Sequence, residues 1–144
     1  MFNVPHVHLY LHIPFCHRIC PYCSFYKHTP GKTDLGAFVE AILDEARFAA
    51  KKNLPPLKTI YFGGGTPSML SPTHLRRLFT GLRTILDFSA VGEVTLEANP
   101  ATFTSRTAHL YEELGVTRVS LGVQSFIGKH LETLGREHSP MQAI

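Results

Sequence analysis

Apolar and polar residues alternate from Val7 to Ile13 (VHLYLHI) and the alternation stops at Pro14, the period of a half-buried strand. Residues 14–33 are rich in proline, cysteine and aromatic side chains and keep no period, so they read as a long loop. From Asp34 the period changes. Leu35, Phe38, Val39, Ile42, Leu43 and Ala46 recur at helical spacing, with Lys51 and Lys52 near the C-terminal end. Pro55 and Pro56 interrupt the chain, and a strand over Thr59 to Phe62 runs into Gly63-Gly64-Gly65.

The alternation then repeats. Ser71 followed by Pro72 marks a helix start, and Leu75, Leu78, Phe79, Leu82, Ile85 and Leu86 form its apolar stripe. Glu93 to Glu97 (EVTLE) predicts a third strand ending at Asn99-Pro100. Thr104 to Leu114 predicts a third helix capped by Gly115, and Arg118 to Gly122 (RVSLG) a fourth strand. Strands alternating with helices predict an α/β fold, a parallel sheet of right-handed βαβ units. Phe38, Phe48 and Phe79 fall on helical stripes and are expected in the core. Ser139-Pro140 repeats the helix-start signature with only four residues after it. A single turn buries almost nothing. The expectation is therefore an N-terminal part of a longer protein, with an open sheet edge and a tendency to aggregate by itself.

Composition narrows the class. The 144 residues are 44% hydrophobic and 17% charged, enough for one packed domain and unlike a disordered tail or coiled coil. Fourteen basic residues against eleven acidic ones give a formal net charge of +3, scattered along the chain, which argues against nucleic acid as a partner. No apolar run approaches the ~20 residues that span a bilayer. The opening MFNVPHVHLYLHIPF has histidines in its apolar stretch, no basic start and no small-residue cleavage site, so a cytosolic protein is expected.

All three cysteines, Cys16, Cys20 and Cys23, lie within eight residues of one another. In a chain without an export signal this clustering points to a metal and not to disulfides. Three thiolates from a short loop suit three corners of a cubane iron–sulfur cluster, leaving the fourth iron open for chemistry. A structural zinc with His12, His17 or His28 as fourth ligand is the alternative.

Cys16-x3-Cys20-x2-Cys23, with Tyr22 before the last cysteine, resembles the signature of the radical S-adenosylmethionine (SAM) superfamily. The wider text YLHIPFCHRICPYCSF, YFGGGTPSML, TLEANPATF, RVSLGVQSF and LGREHSP resembles its coproporphyrinogen-III-oxidase-like branch, and within it the HemW-type heme chaperones. The resemblance runs through essentially the whole chain. It implies a partial radical-SAM (β/α) barrel, parallel strands with outer helices, cut after about four βα units, with 14–33 as cluster loop and the rest of the barrel and a C-terminal domain absent. In that superfamily the amino and carboxylate groups of SAM chelate the open iron, and the reduced cluster cleaves the sulfonium to a 5′-deoxyadenosyl radical.

The resemblance assigns cofactor contacts to Tyr10, Tyr22, Gly64, Gly65, Thr66, Glu97, Gln124 and Arg136, and the cluster to the three cysteines. Glycines admit close backbone approach to a ligand, although a tight turn also uses them. A carboxylate at the end of a strand, as at Glu97, can accept from ribose hydroxyls. Gln124 could donate to and accept from the nucleoside, and the fork of Arg136 suits the carboxylate of the methionine moiety. Taken singly, Gln124 and Arg136 read more often as ordinary surface residues, and Tyr10 reads better as a core tyrosine. The cysteine loop, glycines, Glu97 and Gln124 nevertheless all follow strand ends, where parallel α/β folds bind ligands. One shared site is expected.

Two functions follow. One is a chaperone that binds heme and passes it to client hemoproteins; the other is an oxygen-independent coproporphyrinogen III oxidase that makes vinyl groups by radical decarboxylation. The oxidase pattern carries a fourth cysteine two positions after the third, where this chain has Phe25, and a longer arm before the first, where this chain has 15 residues. Both departures favour the chaperone. His6, His8, His12, His17 and His28 are candidate heme ligands, although His6, His8 and His12 share strand parity and can simply line one face. Heme or a porphyrin, client hemoproteins, an electron-donor protein and a second copy in a homodimer are the expected partners.

Overall fold

The computed structural model describes residues 7–144, so His6 lies outside the described residues. Strands β1 (Val7–Ile13), β2 (Leu57–Gly64), β3 (Glu93–Ala98) and β4 (Arg118–Leu121) form one parallel sheet in the order β1-β2-β3-β4. Helices α1 (Leu35–Ala50), α2 (Pro72–Ile85) and α3 (Ser105–Glu113) join successive strands, and α4 (Gly128–Thr133) follows β4. This is the expected α/β alternation.

The helix starts form where their caps are. The Asp34 carboxylate accepts from Gly36 and Ala37 amides at 2.8 and 3.0 Å, and Ser71 Oγ accepts from the His74 amide at 3.2 Å. Thr104 and Thr107 close a reciprocal capping box on α3, and Gly115 takes φ +78° just after it. Three details differ from the sequence pattern. Strand β2 is longer at both ends: Leu57 pairs with Val7, and Gly63 and Gly64 stay in the ladder opposite His12 and Ile13. Helix α4 was not expected; six residues with only Leu131 buried carry no readable period. Ser139-Pro140 opens a 3-10 turn, closed by reciprocal bonds between Ser139 and Gln142.

Register separates the two faces of the sheet. Leu9, Leu11 and Ile13 of β1, Ile60 and Phe62 of β2, Val94, Leu96 and Ala98 of β3, and Val119 and Leu121 of β4 face the helices and join one core. Val39 and Leu43 of α1 and Leu75, Leu78, Phe79 and Leu82 of α2 close over them, with Phe62 and Phe79 rings stacked at 4.6 Å. A Cβ on Gly81 would fall 2.6 Å from the Leu43 methyls, so the glycine lets α2 seat directly on α1. The opposite face is polar: His8, Tyr10 and His12, then Thr59 and Tyr61, then Glu93, Thr95 and Glu97, then Arg118 and Ser120. These groups pair with one another, as in His8 to Thr59 at 2.8 Å and Arg118 to Thr95 at 3.0 Å. A flat parallel sheet covered by helices on both faces would be apolar on both. A polar face suits the lumen of a barrel.

Phe48 corrects the core expectation. It is 65% exposed, with the Lys52 ammonium 5.5 Å from its ring. Nine residues beyond Val39, at about 100° per residue, it stands about 180° around the helix from that buried position. Phe79 is buried as expected, and Phe38 packs at the edge of the core.

Leu43→Ala should lower unfolding free energy by about 2–5 kcal/mol in urea titrations, because it empties a fully buried contact. Phe48→Ser should stay within about 0.5 kcal/mol of the parent.

Candidate functional site

The cysteine loop is fastened at both ends by backbone bonds. Gly65 and Thr66 amides donate to the carbonyls of Ile13 and Phe15, each at 2.8 Å, so the loop leaves β1 alongside the end of β2. At its far end His28 returns, donating to the Pro14 carbonyl at 2.8 Å and accepting from the Cys16 amide at 3.0 Å. Phe15 drives into the core between Phe38 and His28, in edge contacts at 4.8 and 4.9 Å. Lys27 Nζ caps the inner turn on the Cys23 and Phe25 carbonyls.

Above the C-terminal strand ends lies a cavity of about 340 Å³. Its lining brings together Cys16, Cys20, Cys23, Tyr22, Gly64, Gly65, Thr66, Glu97, Gln124 and Arg136. Ten of the eleven site residues expected from the sequence therefore share one space. Tyr10 does not line it. Its hydroxyl pairs with His12 Nδ1 at 3.0 Å, and its ring stacks on Tyr61 at 6.0 Å. Asn99, Ser120 and Glu137 also line the cavity. Their one sequence signal was a place at or just past a strand end, or in the segment after Gly135.

The glycines are there for space. A Cβ on Gly65 would fall 2.7 Å from the Phe15 carbonyl oxygen and 3.0 Å from Cys16 Sγ. Gly64 takes φ +114°, and a Cβ there would strike the His12 ring at 2.9 Å. Its amide donates to Glu97 Oε2 at 3.2 Å while the Tyr61 hydroxyl donates to Oε1 at 2.7 Å, so β2 holds the β3 carboxylate at two points. Gln124 is a non-glycine residue at φ +65°, a backbone conformation retained at some energetic cost beside the cavity.

Arg136 joins both walls. Its Nη2 donates to the Gly122 carbonyl at 2.7 Å, its Nη1 to Cys20 Sγ at 3.6 Å, and its buried Nε has no protein partner. Thr66 Oγ1 donates to Cys16 Sγ at 3.4 Å. Burial raises the Tyr22 phenol, against the pull of the Arg136 charge. Behind Arg136, His138 is buried with Nε2 3.0 Å from the Val123 carbonyl. Burial and then the Arg136 charge hold its pKa below the usual histidine value.

A cubane cluster fits this donor set. Three free thiols face one cavity, two of them already accept hydrogen bonds of the kind that stabilise thiolate ligands, and the Gly65 notch keeps Cys16 Sγ clear. Among the described residues no three histidine, cysteine, aspartate or glutamate side chains are grouped around a single ion position. His12 is engaged at both nitrogens, by Tyr10 and by the Tyr26 carbonyl at 3.0 Å, and His28 Nδ1 faces the Thr29 carbonyl. Of the three histidines weighed for a zinc, only His17 lines the cavity.

A parallel βα sheet with a three-cysteine loop after its first strand and a glycine turn after its second is part of an α/β barrel. The model of the radical SAM superfamily matches residues 10–144, and the chain belongs to that superfamily. It is 40% identical, over 99% of its length, to the heme chaperone HemW of Escherichia coli (strain K12), covering 38% of that protein. Against the heme chaperone HemW of Lactococcus lactis the figures are 40% identity, 92% of this chain and 34% of the relative. The fold superposes on the coproporphyrinogen III oxidase HemN of E. coli, a radical SAM enzyme, with a TM-score of 0.85 at 26% identity, covering 98% of this chain and 33% of that one. The chain thus spans about a third of the proteins it matches, and its sheet is a partial radical SAM barrel. Among the described residues no helix is long and apolar enough to cross a membrane.

Gly65→Ala should displace the cysteine loop and lower the iron and sulfide retained after anaerobic reconstitution, while far-ultraviolet circular dichroism stays unchanged. His138 should make stability depend on pH. Its folded pKa is depressed, so the unfolded chain binds more protons and stability falls as pH drops through the unfolded value of about 6.5. Urea midpoints at pH 7.5 and 5.5 should differ more for the parent than for His138→Gln.

Proposed function

We propose that this chain is the cluster- and SAM-binding part of a heme chaperone, a protein that binds heme and passes it to client hemoproteins. The observation that carries the reading is the cavity that gathers three thiols, two glycines, a carboxylate, a glutamine and an arginine at one end of the sheet. Cys16, Cys20 and Cys23 would hold three irons of a [4Fe–4S] cluster. Gly64, Gly65, Thr66, Glu97, Gln124, Arg136 and Tyr22 would surround SAM, with Tyr10 one layer behind. When bound, the reduced cluster supplies an electron to the sulfonium of SAM. The chain's own residues orient and shield: Glu97 accepts hydroxyls, Arg136 pairs a carboxylate and steadies Cys20, and Phe25 covers the loop side of the cavity.

The chaperone reading is supported by 40% identity with the heme chaperones of E. coli and L. lactis and by Phe25 at the position of the oxidase's fourth cysteine. The second reading, oxygen-independent coproporphyrinogen III oxidase, is favoured by the 0.85 TM-score against HemN. The chaperone reading takes with it heme as cargo, client hemoproteins and a protein reductant as partners, a cytoplasmic location, and self-association to a homodimer.

The test uses the full-length protein, reconstituted anaerobically. Stable heme binding and transfer to an apo-hemoprotein, without conversion of coproporphyrinogen III, is the expected result. Multiple turnovers to the vinyl product would overturn it. Cys16→Ala, Cys20→Ala or Cys23→Ala should each abolish the broad absorption at about 400 nm that thiolate-bound clusters give. Full iron and sulfide content in those variants would refute the cluster assignment.

A further inference from the structure

Glu97, the last residue but one of β3, has its carboxylate already aimed. Tyr61 Oη donates to Oε1 at 2.7 Å and the Gly64 amide to Oε2 at 3.2 Å. Each oxygen carries two lone pairs, so each keeps one for a ligand. A carboxylate held this way can accept from two neighbouring hydroxyls without reorienting, which spares the ordering cost at binding.

Tyr61 itself does not line the cavity. It stands on the polar face of the sheet, in register with Tyr10 on β1 and Thr95 on β3. Its ring stacks on Tyr10 at 6.0 Å and 24°, and a Cβ on Gly63 would fall 2.8 Å from it, so a glycine makes its room. The bond to Glu97, then burial, push the phenol up to about 12, so Tyr61 keeps its proton to donate at any physiological pH. The chain Tyr10–Tyr61–Glu97 thus runs from β1 across β2 to the cavity wall, and Tyr10 serves as the support of Tyr61.

We propose that Tyr61 is a positioning residue that fixes Glu97 against a ribose diol, and through Glu97 sets the preference of this site for a ribosyl over a 2′-deoxyribosyl nucleoside. The proposal rests on the reading of the cavity as a SAM site. Removing only the hydroxyl, in Tyr61→Phe, keeps the stacked ring and separates aiming from packing.

The experiment measures dissociation constants of SAM, 5′-deoxyadenosine and 2′,5′-dideoxyadenosine by equilibrium dialysis on anaerobically reconstituted full-length protein. Parent, Y61F, E97Q and the double variant are compared, with iron and sulfide content determined for each. Y61F should weaken SAM and 5′-deoxyadenosine about ten-fold, the low end for a hydrogen bond to a charged group, and weaken 2′,5′-dideoxyadenosine, which keeps only the 3′-hydroxyl for Glu97, by clearly less. On the E97Q background the same change should add little. Equal weakening of both nucleosides by Y61F would mean packing alone and would overturn the proposal. So would parent-like binding in Y61F when E97Q is weak. Parent-like binding in E97Q would instead overturn the ribose role of Glu97, and with it the reading on which the proposal rests.

Discussion

Two backbone hydrogen bonds carry the site. Gly65 and Thr66 donate to Ile13 and Phe15, and these bonds extend the β1–β2 ladder past its regular end into the cysteine loop. They form only because residue 65 has no side chain: any Cβ would meet the Phe15 carbonyl and the Cys16 sulfur. The glycine turn and the cysteine loop are therefore one object, although about fifty residues separate them. Everything bound above the strand ends is referred to that junction, and Phe15, wedged between Phe38 and His28, ties the junction to the core.

The sheet has two unlike faces, and the division lets one side pack a core while the other offers polar chemistry. Leucine, isoleucine, valine and phenylalanine on the helix-facing side bury their area against α1, α2 and α3. The other side gathers histidine, tyrosine, threonine, glutamate and arginine in cross-strand register, where they satisfy one another's hydrogen bonds. Thr95 is fully buried there because it accepts from Arg118 and donates to Glu93. A mutually bonded polar layer is rigid. Such a layer can hold a carboxylate like that of Glu97 in one orientation.

The segment after β4 closes the other wall. Gly135 at φ +66° packs on Pro21, Arg18 faces Glu137 across an exposed ion pair at 3.9 Å, and Arg136 reaches from Gly122 to Cys20. The exposed pair contributes little, whereas Arg136 is held by the Gly122 carbonyl and the Cys20 sulfur. Residues more than a hundred positions apart in the chain thus share one electrostatic environment.

The sequence by itself determined the order of elements and the residue types that stand at each strand end. The period of apolar residues, the caps at Asp34, Ser71 and Thr104, and the cysteine spacing are local signals, and each led to the element or loop that the fold contains. Local signals also set the limits. Phe48 matched an apolar stripe in type and missed it in angle, and α4 was too short to show a period. Only the tertiary structure decided which side chains meet. The motif resemblance places Tyr10 at the cavity, yet it stacks behind Tyr61; Tyr61 opens the YFGGGTPSML motif with no role assigned to it, yet it holds Glu97. Strand register and the absence of a Cβ at Gly63, Gly64 and Gly65 made those choices, because contacts across a sheet depend on alignment between strands that no single stretch of sequence records.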